Sequence, residues 1–203
     1  DTDDRLGLIT YSNQVEILSP LVNLTSAQCE RLVSMIRRIV PSGGTNLGSG
    51  LQGGISTAIK TPSDGRLRRV ILVSDGLANQ GITSVRALGV MAANGTEHNL
   101  GITTVGVGYD FNEVLMTTIA DHGAGNYHFL ENPKAFGALL KKEFETTRNV
   151  VAGNVELRIP LRDGVQLLDA GGYPIGMEGS VAVIRPGDIM AGQQRTIFLS
   201  YRV

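Results

Sequence analysis

The sequence predicts an α/β fold with a doubly wound, mostly parallel sheet, followed by a small antiparallel β unit. Three observations carry this reading. Short apolar runs such as Val70-Ile71-Leu72-Val73 recur and suit strands buried on both faces. Between them lie segments whose apolar residues fall at helical spacing. Beyond them the pattern turns to alternation, with Val155, Leu157, Ile159 and Leu161 set against Glu156, Arg158, Pro160 and Arg162. The expected division is an α/β domain over 1–149 and a β-strand extension or partial β-sandwich over 150–203. A chain of 203 residues has room for one full core and an appendage.

The elements follow in order. Asp1 to Asp4 reads as a polar turn, and residues 6–11 as a buried strand. A tight turn at Ser12-Asn13 leads to an alternating strand over 15–18, a hairpin partner. Ser26 can cap a helix whose stripe is Cys29, Leu32, Ile36 and Ile39, and Pro41-Ser42-Gly43-Gly44 ends it. A second helix carries Leu47, Leu51, Ile55, Ala58 and Ile59. In it Gly50 and Gly54 allow close approach to a sheet, at about 1 kcal/mol each in helix propensity. After the strand at 70–73 come a helix over 84–94 closed by Asn94-Gly95 and a strand over 102–107. A helix over 112–120, a strand over 126–130 and a helix over 133–147 complete the domain. The last helix is expected to turn Phe136, Leu139, Leu140 and Phe144 inward, and Lys141, Lys142 and Glu143 outward. In the extension, strands are expected over 165–168, 180–184 and 196–201. Gly171-Gly172 and Pro186-Gly187-Asp188 separate them.

Several functions are disfavoured on composition. A net charge of −1 and a pI near 6.3 leave no basic footprint for nucleic acid. No apolar run approaches the roughly 18 residues of a membrane span. One cysteine, Cys29, excludes an internal disulfide and a cysteine zinc site, and it reads as core. Gly43 to Ser49 nearly spells a phosphate loop, but Ser49 stands where lysine is required. Gly106-Val107-Gly108 lacks the third glycine of a dinucleotide fingerprint, because Phe111 stands there. Leu47 replaces the first glycine of a nucleophile elbow around Ser49. His98, His122 and His128 have no ligand spacing. Arg66, Arg68 and Arg69 read as a solvated turn, and residues 141–145 as a solvated helix face. Nothing offers a paired acid and base or an activated nucleophile, so no enzyme is expected.

In open α/β sheets ligands bind beyond the carboxyl ends of the strands. The residues there are Asp75, Gly76, Asp110, Ser12 and Asn13, together with the loop Ser42-Gly43-Gly44-Thr45-Asn46. Singly, Asp75-Gly76 is a common turn pair and Thr45 a helix N-cap. Together, a hydroxyl behind a double glycine and a carboxylate at a strand end are oxygen donors of the kind Mg²⁺ takes.

"SGGTNLGSGL" and "RRVILVSDGLANQG" resemble the second and third motifs of the von Willebrand factor A domain, a Rossmann-like family with a metal-ion-dependent adhesion site. "DDRLGLITYSNQVEIL" resembles its second and third strands, and "GITTVGVGYDFNEVLMTTIA" a later strand–helix unit. The tail, with "NVELRIPLRDGV" and "PGDIMAGQQRTIFLSYRV", is similar to the β extension of bacterial proteins named as Ca-activated chloride channel homologues. The resemblance implies that Thr45 and Asp75 are metal ligand positions, Thr45 ligating directly in the engaged state and Asp75 acting mainly through metal-bound water or from just outside the direct ligands. Ser12, Asn13, Gly44, Asn46, Gly76 and Asp110 form the expected partner-binding rim. The implied metal is Mg²⁺, with Mn²⁺ or Ca²⁺ as alternatives, and the implied partner is a protein offering an Asp or Glu carboxylate.

One departure is large. The family's Asp-x-Ser-x-Ser motif, with its strand and helix, is absent. In the order 3-2-1-4-5-6 that strand is central. The strands at 6–11 and 70–73 are therefore expected to flank an empty slot, each unpaired buried backbone group costing about 1–3 kcal/mol. The expectation is that the sequence is a fragment or that another chain fills the slot. Two functions fit: a metal-dependent adhesion or assembly module, or a structural domain with a vestigial metal site that binds partners through its β extension.

Overall fold

The computed structural model describes residues 3–41, 43–62 and 64–203, with the side chains of 146–148 and 154 left aside. Asp1 and Thr2 of the expected turn and Ser42 of the expected loop lie outside the described residues. The first hairpin pairs β1 (Arg5–Tyr11) antiparallel with β2 (Val15–Asn23). Helix α1 (Ser26–Ile36) follows, capped by Thr25, one residue earlier than expected. Helix α2 (Leu47–Lys60) leads into β3 (Arg68–Ser74), then α3 (Val85–Thr96), β4 (Leu100–Val107), α4 (Glu113–His122) and β5 (Tyr127–Leu130). A 3₁₀ turn at Pro133–Ala135 opens into α5 (Phe136–Arg148). Strands β3, β4 and β5 form a parallel sheet in that order, with Ser74 level with Gly106. The α/β alternation read from the sequence is the fold found.

The main core lies on one face of that sheet. Leu47, Leu51, Leu88, Ile102, Leu115 and Ile119 are almost wholly buried there, with Val70 and Tyr11 packed at the margin. At about 25 cal/mol per Å² of buried apolar surface, each such large side chain contributes roughly 1.5–3 kcal/mol.

No ladder joins β1 to β3 among the described residues, so the two form separate sheets. Helix α2 bridges them through its glycines. A Cβ at Gly50 would lie 2.6 Å from the Tyr11 ring, one at Gly53 3.0 Å from Val15 Cγ1, and one at Gly54 3.0 Å from Val70 Cγ1. The close approach expected of Gly50 and Gly54 is thus present, each touching a different sheet. Tyr11 also spans the division, its hydroxyl donating to the Val73 carbonyl at 2.6 Å. Burial pushes its phenol up to about 12; the Ser74 hydroxyl opposes that rise and the Asp75 carboxylate adds to it.

The extension contains β6 (Val150–Pro160), β7 (Gln166–Asp169), β8 (Ile175–Glu178), β9 (Val181–Met190) and β10 (Ser200–Arg202). They form an antiparallel sheet β6-β9-β8 and a pair β10-β7. Its small core is Leu167, Ala170, Ala182 and Ile184, flanked by Ile159, Tyr173 and Leu199. Pro186-Gly187-Asp188 does not separate strands as expected. Strand β9 runs through it with a shift of register against β6. Gly187 has φ +87°, and a Cβ there would lie 2.9 Å from the Ala124 carbonyl oxygen. That close approach brings the extension onto the α4–β5 connection.

The expected environments of five residues are corrected. Cys29 is exposed rather than core. In α1 only Leu32 is buried, and Ile36 stays half exposed, because the helix packs chiefly on β2. Glu143 is 5 % exposed rather than solvated, and Phe144 is 53 % exposed rather than inward. Arg69 belongs to β3 and not to a solvated turn. These last residues are explained by one buried polar cluster. Glu143 Oε1 lies 2.8 Å from His128 Nε2 and accepts from Asn126 Nδ2 at 3.2 Å. Arg69 Nη2 pairs with Asp188 Oδ2 at 3.0 Å, and its Nη1 reaches Glu143 Oε2 at 3.9 Å and Thr103 Oγ1 at 3.3 Å. One helix, three strands and the extension therefore meet in a shared set of charges.

Candidate functional site

The carboxyl ends of β1 and β3 converge on the loop that enters α2. Glycine makes the loop possible, since Gly43 has φ +67°, a region that L side chains rarely adopt. Asparagines then fix its shape. The Gly44 amide donates to Asn13 Oδ1. The Asn46 amide donates to the Ser12 carbonyl at 2.8 Å, and Asn46 Nδ2 reaches the Asn13 carbonyl at 3.5 Å. Four of the expected rim residues, Ser12, Asn13, Gly44 and Asn46, are thereby joined.

Asn46, not Thr45, caps α2: its Oδ1 accepts from the Ser49 amide at 3.2 Å. The cap reading of Thr45 is corrected, and its hydroxyl is left for another use. A reciprocal pair of bonds pins its backbone. The Thr45 amide donates to Asn79 Oδ1 at 2.9 Å, and the Asn79 amide to the Thr45 carbonyl at 3.1 Å. The hydroxyl then lies over the end of β3, where a Cβ on Gly76 would come within 3.4 Å of Thr45 Oγ1. Asp75, next to Gly76, is exposed, and it is near enough to Tyr11 to raise its phenol. Ser74 Oγ closes the turn on the Gly76 carbonyl at 3.1 Å.

Asp110 stands apart from this group. It lies exposed beyond β4, between Tyr109 and Phe111, whose rings pack on Phe129 at centroid distances of 5.6 and 5.9 Å. Its loop leans toward β5 rather than β3.

Sequence reasoning missed Asn79, Gln80 and Gly81. A Cβ at Gly44 would lie 2.6 Å from Gln80 Nε2, and one at Gly81 2.4 Å from Asn46 Oδ1. The run Leu77-Ala78-Asn79-Gln80-Gly81 carries the usual amide and glycine signals of a structured loop, and these were the available clue.

The donors gathered here are a hydroxyl, a carboxylate and backbone and amide oxygens. That set suits a hard divalent cation and not a soft one. Among the described residues no three His, Cys, Asp or Glu side chains cluster as a metal centre by themselves. Thr45 and Asp75 have the donor chemistry of part of such a shell.

Comparison with known proteins agrees with this architecture. The Synechocystis sp. (strain ATCC 27184 / PCC 6803 / Kazusa) protein named "Uncharacterized protein sll0103" is 25% identical over 211 residues, which cover 98% of this chain and 49% of that protein. The chain thus spans about half the length of this curated relative. A solved von Willebrand factor type A structure from Catenulispora acidiphila superposes with a TM-score of 0.75 at 15% identity, over 98% of this chain and 47% of that one. Proximal thread matrix protein 1 from the mussel byssus, solved with a zinc-occupied MIDAS motif, has a TM-score of 0.54 at 20% identity, over 77% of this chain and 38% of that one. The model of the von Willebrand factor type A domain matches residues 1–142, and this chain belongs to that family.

Proposed function

We propose that this chain is a metal-dependent protein-interaction module, without catalysis, that binds a partner carboxylate through a divalent cation. The observation that carries the reading is the placement of Thr45 Oγ1 against Gly76, beside Asp75, by a loop that three asparagines hold in place. Thr45 and Asp75 would hold the ion, with Mg²⁺ the first choice and Mn²⁺ or Ca²⁺ alternatives. A bound ion supplies a Lewis-acid position that a partner's Asp or Glu can complete. The zinc-occupied MIDAS motif of the mussel byssus protein supports the reading by analogy of fold. No ladder joins β1 to β3 among the described residues, which leaves both edges open for pairing.

A second reading is a structural or assembly domain with a vestigial metal site, whose β extension holds partners. It needs no ion, and among the described residues no group of three His, Cys, Asp or Glu stands against it. Mn²⁺ binding, followed by its electron paramagnetic resonance signal, separates the two. The metal reading expects Mn²⁺ to bind the full chain and Mg²⁺ to displace it. Asp75→Ala and Thr45→Ala should each weaken that binding by about tenfold, the loss of one charge-assisted contact. Equal binding by all three proteins would favour the vestigial site.

A further inference from the structure

The Gly106-Val107-Gly108 stretch, idle as a nucleotide motif, has a structural use. A Cβ on Gly106 would fall 2.2 Å from the Phe111 ring, so only glycine lets that ring cross the end of β4. Gly108, at φ +74°, turns the chain so that Tyr109 stands 75 % exposed. The result is a chain of packed rings, Tyr127–Phe111–Phe129–Tyr109, with centroid spacings of 6.4, 5.9 and 5.6 Å. Phe129 is 45 % exposed, so the outer end of the chain meets solvent.

Carboxylates flank these rings. Tyr109 Oη donates to Glu131 Oε1 at 3.1 Å, Tyr127 Oη to Glu113 Oε1 at 3.4 Å, and Asp110 follows Tyr109 exposed. Burial and then Glu113 raise the Tyr127 phenol above its usual range. The carboxylates at this end of the chain's β4–β5 region are Asp110, Glu113 and Glu131, and the first lysine or arginine after Val105 is Lys134. Aromatic faces edged by negative charge attract cations and give an apolar partner alone little reason to choose them.

We propose that Tyr109, Phe129 and Glu131, with Asp110, form a docking surface for a basic segment of a partner protein, seating an arginine or lysine over the rings. The surface lies on the same strand-end edge as Thr45 and Asp75 but does not depend on metal.

The test uses the full chain in excess chelator, so that a metal-bound contact contributes nothing. Ring resonances of Tyr109 and Phe129 are followed by NMR while acetyl-Gly-Arg-Gly-Arg-Gly-amide is added. The expected result is a saturable shift, about fivefold weaker for the citrulline counterpart and for Tyr109→Ala. Glu131→Gln, on an exposed side chain, should weaken it similarly and serves if Tyr109→Ala misfolds. Equal binding of a leucine counterpart would overturn the proposal in favour of an apolar partner. Shifts that follow protein concentration without peptide would assign the surface to a second copy of this chain. Absence of any saturable shift would also overturn it.

Discussion

Asn46 shows how one side chain can serve fold and site together. It caps α2, and a bond from its own amide ties the helix to the end of β1. Thr45 is thereby released from capping and presented at the end of β3. Tyr11 is the other residue on which the site region depends, because its hydroxyl alone is seen to bridge β1 to β3 by a hydrogen bond among the described residues. Its phenol is raised to about 12, so the folded state holds this proton more tightly than the unfolded chain. The unfolded state ionises near pH 10 while the folded state does not, and protons bound in excess by the folded state make stability fall as pH rises. The effect is absent below pH 10 and complete near pH 12, where it amounts to about 2–3 kcal/mol. Denaturant melts of the wild type and Tyr11→Phe between pH 8 and 12 check this. The wild type should lose the extra stability with pH, and Tyr11→Phe should lack that component while starting about 1 kcal/mol lower for want of the bond.

Among the elements, α5 departs most from its sequence pattern. Its apolar positions are only partly covered, yet Glu143 is buried. The helix is held down by charge as much as by apolar contact: His128, Asn126 and Thr103 all reach that carboxylate, and Arg69 carries the connection on to Asp188 in β9. Removing one partner of a buried cluster strands the others, which costs about 3–5 kcal/mol. Glu143→Ala should therefore lower the melting midpoint by roughly 10 °C. Lys142→Ala, one residue away and exposed, should change it by about 1 °C or less. If calorimetry found the two equal, the cluster would not be holding the helix.

At the scale of the whole molecule, the hairpin and the parallel sheet are joined chiefly through α2 and Tyr11. Amides of β3 that point away from β4 have no ladder partner among the described residues, whereas β4 is paired with β3 along its length and with β5 over Thr104–Val107, and its Ile102 amide donates to the Gly123 carbonyl. Amide hydrogen exchange should therefore split β3 into alternate fast and slow positions and leave β4 slow throughout. Uniform protection of β3 would show that something occupies its open edge. The docked extension acts in the opposite sense, closing the other end of the sheet through Gly187 and Asp188.

Strand runs, helical spacing and turn residues lay open in the sequence, because each follows from a local period or a local backbone need. The α/β order, the start of α3 at its cap Ser84 and the glycine approach of α2 were legible in this way, whereas the pairing of the Thr45 and Asp75 loops was expected only from their place at strand ends and from the family resemblance. The extension was legible as alternation, but not the run of β9 through Pro186-Gly187-Asp188, which depends on contact with Ala124. Tertiary structure alone decided the burial of Glu143, the partial burial of Arg69 and the exposure of Cys29. A charged side chain reads as solvated until a counter-charge from a distant strand lies beside it, and an apolar stripe reads as core until nothing is found to cover it. The sequence by itself determined which elements form and which residues stand at strand ends. Packing decided which of those residues share a site, because distances between elements far apart in the chain are set by side-chain contacts that no local pattern encodes.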